Sequence, residues 1–201
     1  MASLLAGCLM VLAASAAPSP TPWALGTVYQ DAACSVPWAP RTQRWDRLDG
    51  CSSFAEGESA WQTSNVTHLH SQVFSPSTTC TGKVVSERWT EFGVCFGGAG
   101  GYSILKPAAA PDPLPNTIVH HWSNAVDCSS EPMMVQTYPA NQCYDPNNLP
   151  RFQNAVCDVP SNKVTILAQC LGSTCLQAQC EVTNITLGCA NPHKKYICNV
   201  D

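Results

Sequence analysis

The chain is poor in charge, and that scarcity excludes several kinds of protein. Only 12% of its 201 residues are Asp, Glu, Lys or Arg, and the net charge is −4. Lys and Arg nowhere gather into the basic field that phosphates require, so nucleic acid is not an expected partner. Long apolar runs are also missing. Beyond the N-terminal segment none approaches the roughly 18 residues of a membrane helix, and no membrane span is expected. There is no Cys-x-x-Cys, which argues against a structural zinc site. No segment sustains a helical period.

Signature motifs for chemistry are scarce too. Gly57-Glu58-Ser59-Ala60-Trp61 begins like a nucleophile elbow but lacks the closing glycine. Gly97-Gly98-Ala99-Gly100-Gly101 fails the phosphate-loop spacing and reads as a flexible loop after Cys95. Asp46 with Asp49, Glu56 with Glu58, and Glu87 with Glu91 are the acid pairs a glycoside hydrolase would need. Acids this close in sequence more often form a solvated loop or the polar side of a strand. The expectation is a non-enzyme without a cofactor, with an extracellular hydrolase as a remote alternative.

What is abundant is cysteine, thirteen in all. Residues 1–17 read as a signal peptide, apolar from Leu4 to Ala14 with a small-residue site at Ala14-Ser15-Ala16. Cys8 leaves with it. The remaining twelve are an even number on an oxidising route, which predicts six disulfides and a secreted protein. Eight of them recur at a nearly fixed offset. Cys34, Cys51, Cys80 and Cys95 are followed by Cys128, Cys143, Cys175 and Cys189, displaced by 94, 92, 95 and 94 residues. Between them Ser64-Asn65-Val66-Thr67 aligns with Ser161-Asn162-Lys163-Val164-Thr165, and Trp45 falls near Tyr138.

The pattern reads as one module written twice. A Pro-rich spacer (18–25) leads into a first cysteine-rich repeat (26–106). A Pro-rich linker (107–115) follows, expected to be stiff and extended, and then a second repeat (116–201). Val66–Phe74, Lys83–Phe96, Lys163–Gln169 and Glu181–Leu187 are rich in β-branched and aromatic residues and predict strands, and an extended form suits Pro40–Asp49. The expected fold is all-β: two tandem small antiparallel domains from an internal duplication, each stapled by disulfides because so small a core supplies little stability.

The second repeat has four extra cysteines, Cys157, Cys170, Cys180 and Cys198, falling near Trp61, Gln72, Val85 and Ser103 of the first. Cysteines that form one bridge should be gained or lost together. The shared positions should therefore pair among themselves, and so should the extras. Neighbours along hairpins give Cys34–Cys51, Cys80–Cys95, Cys128–Cys143, Cys175–Cys189, Cys157–Cys170 and Cys180–Cys198, one choice among three for each set of four.

Candidate sites are few. Trp38, Arg41 and Arg44 lie where aromatic rings and hydrogen-bonding side chains interleave, which suits sugar faces. Trp45 and Trp61 read as core, leaving Trp38, Trp23 and Trp122 as candidates for exposure. His68 and His70 share one strand face and are weak metal ligands lacking a third partner. Asn65-Val66-Thr67 and Asn184-Ile185-Thr186 are glycosylation sequons. Tyr29 to Cys34 and Gln136 to Cys143, each an approach to Cys followed by a Pro-containing stretch and a Val-Thr strand, resemble cysteine-rich tandem repeats of secreted and surface proteins of protists. That group has no defined activity to carry over. The residues imply a binding or structural protein of the cell surface, wall or matrix. Its partners would be a polysaccharide or glycoprotein, or an extracellular protein held by a rigid loop (Pro37–Asp49 or Pro139–Pro150) in the manner of an inhibitor or effector.

Overall fold

A computed structural model describes residues 22–37, 42–53, 57–98, 101–143, 152–171 and 174–200. The signal segment, Trp38, Arg41 and Glu56 lie outside the described residues. The fold is all-β. The strands are β1 (Trp23–Tyr29), β2 (Gln43–Arg47), β3 (Gly50–Ser53), β4 (Ser59–Ser64), β5 (His68–Phe74), β6 (Val84–Glu91), β7 (Phe96–Gly98), β8 (Gly101–Ala108), β9 (Thr117–Ser123), β10 (Pro132–Pro139), β11 (Phe152–Asp158), β12 (Lys163–Cys170), β13 (Glu181–Thr186), β14 (Gly188–Asn191) and β15 (Lys194–Asn199). A 3-10 turn, Gln177–Gln179, accompanies them.

Most sequence expectations of strand survive with ends shifted by one or two residues. Two change. The Lys83–Phe96 run is interrupted by a turn at Phe92–Gly93, so it becomes β6 and the start of β7. Three of the glycines after Cys95 are in strands and not in a loose loop: Gly97 and Gly98 of β7 pair with Tyr102 and Gly101 of β8, while Ala99 and Gly100 lie outside the described residues.

The strands form an eight-stranded sheet in the order β14-β15-β9-β10-β2-β1-β8-β7, a four-stranded sheet β3-β4-β5-β6 and a three-stranded sheet β11-β12-β13. The large sheet takes β7-β8-β1-β2 from the first half of the chain and β14-β15-β9-β10 from the second. The halves therefore meet as one hydrogen-bonded sheet at the β2–β10 seam rather than as two separate sheets. There Val135 faces Trp45 and Gln136 faces Arg44. Arg44 and Gln136 are 92 residues apart, the offset of Cys51 and Cys143. A local two-fold relation thus passes between them.

The small sheets cover one face of the large one. In the first half Ala24 of β1, Leu48 and Leu69 of β5 form a core, with Phe92 and Leu105 against it. In the second, Ile118 of β9, Ala140 and Val164 of β12 occupy the corresponding places, with Leu187 and Tyr196. The alternation of each strand sends the next residues, Leu25 and Val119, to the opposite face. There Trp23, Trp45, Val119 and Val135 make a third cluster across the seam. The Pro-rich linker is drawn onto this face. Pro111 and Pro113 are half-buried beside Trp23 and Val135, while Asp112 and Leu114 point outward. Asn199 Nδ2 donates to the carbonyls of Pro113 and Leu114 and ties the linker down.

Six disulfides form: Cys34–Cys95, Cys51–Cys80, Cys128–Cys189, Cys143–Cys175, Cys157–Cys198 and Cys170–Cys180. The shared cysteines do pair only among themselves, and so do the extras. The hairpin-neighbour pairing is wrong for all six. The strand order explains it: β1 lies between β2 and β8, so Cys34 after β1 meets Cys95 before β7, which is near in space and 61 residues away in sequence. The second pair nests inside this one, Cys51 to Cys80. The same nesting recurs as Cys128–Cys189 around Cys143–Cys175. The backbone repeats as well. Cys34 and Cys128, Cys80 and Cys175, and Asp49 and Asn141 all take left-handed φ between 47° and 58°.

Candidate functional site

On β5 the side chains alternate. Leu69 enters the core, so His68, His70 and Gln72 stand on the outer face of the four-stranded sheet. Register then fixes their neighbours. Trp61, Gln72 and Glu87 form one cross-strand row, and Thr63, His70 and Trp89 the next. Glu87 Oε1 lies 2.7 Å from His70 Nε2 and accepts from Gln72 Nε2 at 3.4 Å. The imidazole of His70 is held parallel to the Trp89 indole, with centroids 4.0 Å apart and planes 6° apart. His68, itself within 2.8 Å of Thr67 Oγ1, meets the same indole edge-on. Trp89 remains 56% exposed and Trp61 37%. The result is a firm aromatic surface rimmed by Gln72, Glu87 and Thr63, which can offer apolar ring contact and hydrogen bonds together.

This redistributes the tryptophans. Trp45 is core, 2% exposed, as its pattern implies. Trp61 was expected there and instead lies on the outer face. Trp23, expected to be exposed, is buried at the seam, and Trp122 is half-buried. Trp89 was missed. It lies on the edge strand β6, which is exposed at nearly every residue, and the sequence does not say on which face of the sheet the indole falls.

The remaining candidates are scattered. Trp38 and Arg41 lie outside the described residues. Arg44 is on the inner face at the seam, its guanidinium engaged with the Asp46 carboxylate through Nε at 2.9 Å and Nη2 at 2.7 Å. His68 and His70 share a face as expected, but each is already engaged. No cluster of three or more His, Cys, Asp or Glu suited to a metal occurs among the described residues. Glu58, Asp49, Glu87 and Glu91 are exposed, and Asp46 lies on the opposite side of the four-stranded sheet from Glu87.

Both sequons are exposed. Asn65 is in the β4–β5 turn, where its Oδ1 accepts from the backbone N–H of Thr67 and His68 at 2.9 and 2.7 Å. Asn184 is on the edge strand β13, and its Oδ1 accepts from Thr165 Oγ1 at 2.9 Å. Counting by the β12–β13 register, Asn184 stands where Trp89 stands in the first half, 95 residues earlier, the offset of Cys80 and Cys175.

Cystine density of this kind fits an oxidising compartment. No helix among the described residues is long and apolar enough to cross a membrane. Comparison with family models, with curated proteins and with solved structures finds no match for the chain.

Proposed function

We propose that the protein is a secreted, disulfide-stapled binding protein of the cell surface, wall or matrix that holds polysaccharide on the outer face of its four-stranded sheet. The observation that carries this reading is Trp89: an indole more than half exposed, yet fixed by stacking on His70, which Glu87 holds in turn. A large apolar side chain that solvent does not reward is kept in place by two polar neighbours. Preorganisation of this kind lowers the ordering cost of binding. Trp61 one row away extends the contact, and Gln72 and Glu87 lie where sugar hydroxyls would meet them.

The correspondence of the two halves, in bridge nesting, strand order and core positions, supports descent from an internal duplication, in line with the resemblance to protist surface repeats. In the second half the position of Trp89 is a sequon, so a glycan on Asn184 would cover that face. One binding face, in the first half, follows.

The test is retention of the oxidised mature protein on insoluble cellulose, chitin and β-glucan. Retention should be seen on at least one and should fall about fivefold or more in Trp89→Ala, since one lost aromatic contact is worth about 1 kcal/mol or more. Equal retention of the variant removes this face from consideration. Failure of the wild type to bind any of the three removes the polysaccharide.

A further inference from the structure

On the inner face of the large sheet, beside the local two-fold at Arg44 and Gln136, a cleft of about 620 Å³ opens between the halves. Its floor is two cross-strand rows: Asp46, Met134, Trp122 and Lys194, and beside it Arg44 and Gln136. One wall is β3 and β4, through Ser52 and Gln62. The other is the chain at Asn124 and the β14–β15 turn at His193. Asn124 Nδ2 donates 2.8 Å to the Cys51 carbonyl and fixes the mouth from both halves. His193 Nδ1 lies 3.1 Å from the Ser123 carbonyl and fixes the turn that carries Lys194.

Charge in the cleft does not cancel. Asp46 neutralises Arg44. Lys194 is half-buried with its ammonium 4.1 Å above the centre of the Trp122 ring, and no carboxylate among the described residues lies within ion-pair distance of it. An indole face holds a cation but leaves its charge uncompensated. Around that single positive charge the polar groups are neutral amides and hydroxyls, and Met134 supplies an apolar patch. The size falls within the range of small-molecule sites.

We propose that this cleft is a second binding site, for a small sugar carrying one carboxylate, a uronic acid or a short oligosaccharide ending in one. The carboxylate meets Lys194, the hydroxyls meet Gln136, Gln62, Asn124 and Ser52, and the apolar ring face lies over Met134. The site is independent of the outer face, so either can fail alone.

The test is titration of the oxidised protein with D-glucuronate and D-galacturonate, and with D-glucose and D-galactose as neutral controls, at low ionic strength. It is followed through the indole ¹H–¹⁵N resonance of Trp122. Saturable shifts are expected with at least one uronate, weaker by about tenfold with the matching neutral sugar and in Lys194→Met. Gln136→Ala, which leaves the charge in place, should weaken both sugar classes alike. Trp89→Ala should bind the uronate as the wild type does. Thermal unfolding of each variant separates loss of binding from loss of fold. No saturable shift up to about 10 mM uronate, equal binding of uronate and neutral sugar, or an unchanged affinity in a folded Lys194→Met would each overturn the proposal.

Discussion

The two halves of the chain share a frame and differ in what fills it. Leu48 is matched by Ala140, Leu69 by Val164, Phe92 by Leu187 and Leu105 by Tyr196, and each member of a pair touches its own half's core. Where the first half has Ser64 and Pro107, the second has the Cys157–Cys198 bridge, joining β11 to β15. Where the first has Gly26, with a would-be Cβ only 3.3 Å from Leu105, the second has His120 stacked on Tyr196 at 4.4 Å. Outside, Trp89 and His70 give way to Asn184 and Thr165. Strand order and bridge nesting tolerate all of this because they depend on backbone pairing and on turns that place the cysteines. Core volume and surface chemistry can then diverge, so a binding surface on one half does not imply one on the other.

The seam decides whether this comparison concerns two domains or one. Trp45 is 2% exposed and packs beside Val135, which is 1% exposed, at the one place among the described residues where the halves share strand hydrogen bonds. The corresponding residue of the second half, Thr137, is buried as well but is smaller, and its Oγ1 accepts from the Gln43 backbone N–H at 3.0 Å. Trp45→Ala should cost about 3–5 kcal/mol. It should also split a single calorimetric transition into two, because it removes the main apolar contact across the seam. Two transitions already present in the wild type would mean the halves fold separately despite their common sheet.

Next in size is the longer of the two bridges that only the second half possesses. Cys157 and Cys198 enclose 41 residues. Closing a loop of that length is worth about 4 kcal/mol in the chain-entropy model. Cys157→Ala with Cys198→Ala should lower stability by that order and should selectively reduce amide protection in β11 and β12 relative to β4 and β5. Loss spread evenly over both halves would show that the bridge stabilises the whole molecule and does not compensate for the fill of its own half.

Bridge membership was legible in the sequence because the common offsets separate the eight recurring cysteines from the four extras. Connectivity was not, because it depends on β8 returning to the free side of β1, a non-local pairing that spacing does not encode. The same gap misplaced the tryptophans. Trp61 was aligned near Cys157, but the residue matching Cys157 is Ser64: Asp49 donates to the Gln62 carbonyl as Asn141 donates to that of Ala155, which sets an offset of 93. A shift of three residues turns a strand side chain to the other face. His68 and His70 were placed on one face correctly by period alone, whereas their stacking partner Trp89 is 19 residues beyond His70 and needed the β5–β6 register. Arg44 was singled out for its aromatic neighbours in sequence. Its position at the seam follows from β2 pairing with β10, which nothing local announces.

The smallest effect is also the most selective for one half, since Gly26 has no counterpart to an imidazole. His120 is 5% exposed, packed between Trp122 and Tyr196, and its Nε2 has no hydrogen-bond partner among the described residues. Burial, with smaller contributions from the charges of Lys194 and His121, lowers its pKa from the ordinary 6.5 to about 4. In the unfolded chain it titrates near 6.5, so between 6.5 and 4 the unfolded state binds the extra proton. The stability is fully present above pH 6.5 and drains away as pH falls toward 4, by about 3 kcal/mol for a shift of this size. Asp31, Asp127 and Asp158, held below the usual 3.8 chiefly by hydrogen bonds from Val36, Ser129 and Ser161 respectively, release their contribution only below that window. His120→Phe keeps the stack and removes the titration. Denaturant midpoints at pH 7 and pH 4.5 should then converge, except for a remainder from His121, whose pKa is lowered by burial in the same direction. An unchanged pH dependence in the Phe variant would mean that acid opens the protein elsewhere, and that the two halves do not differ in this respect.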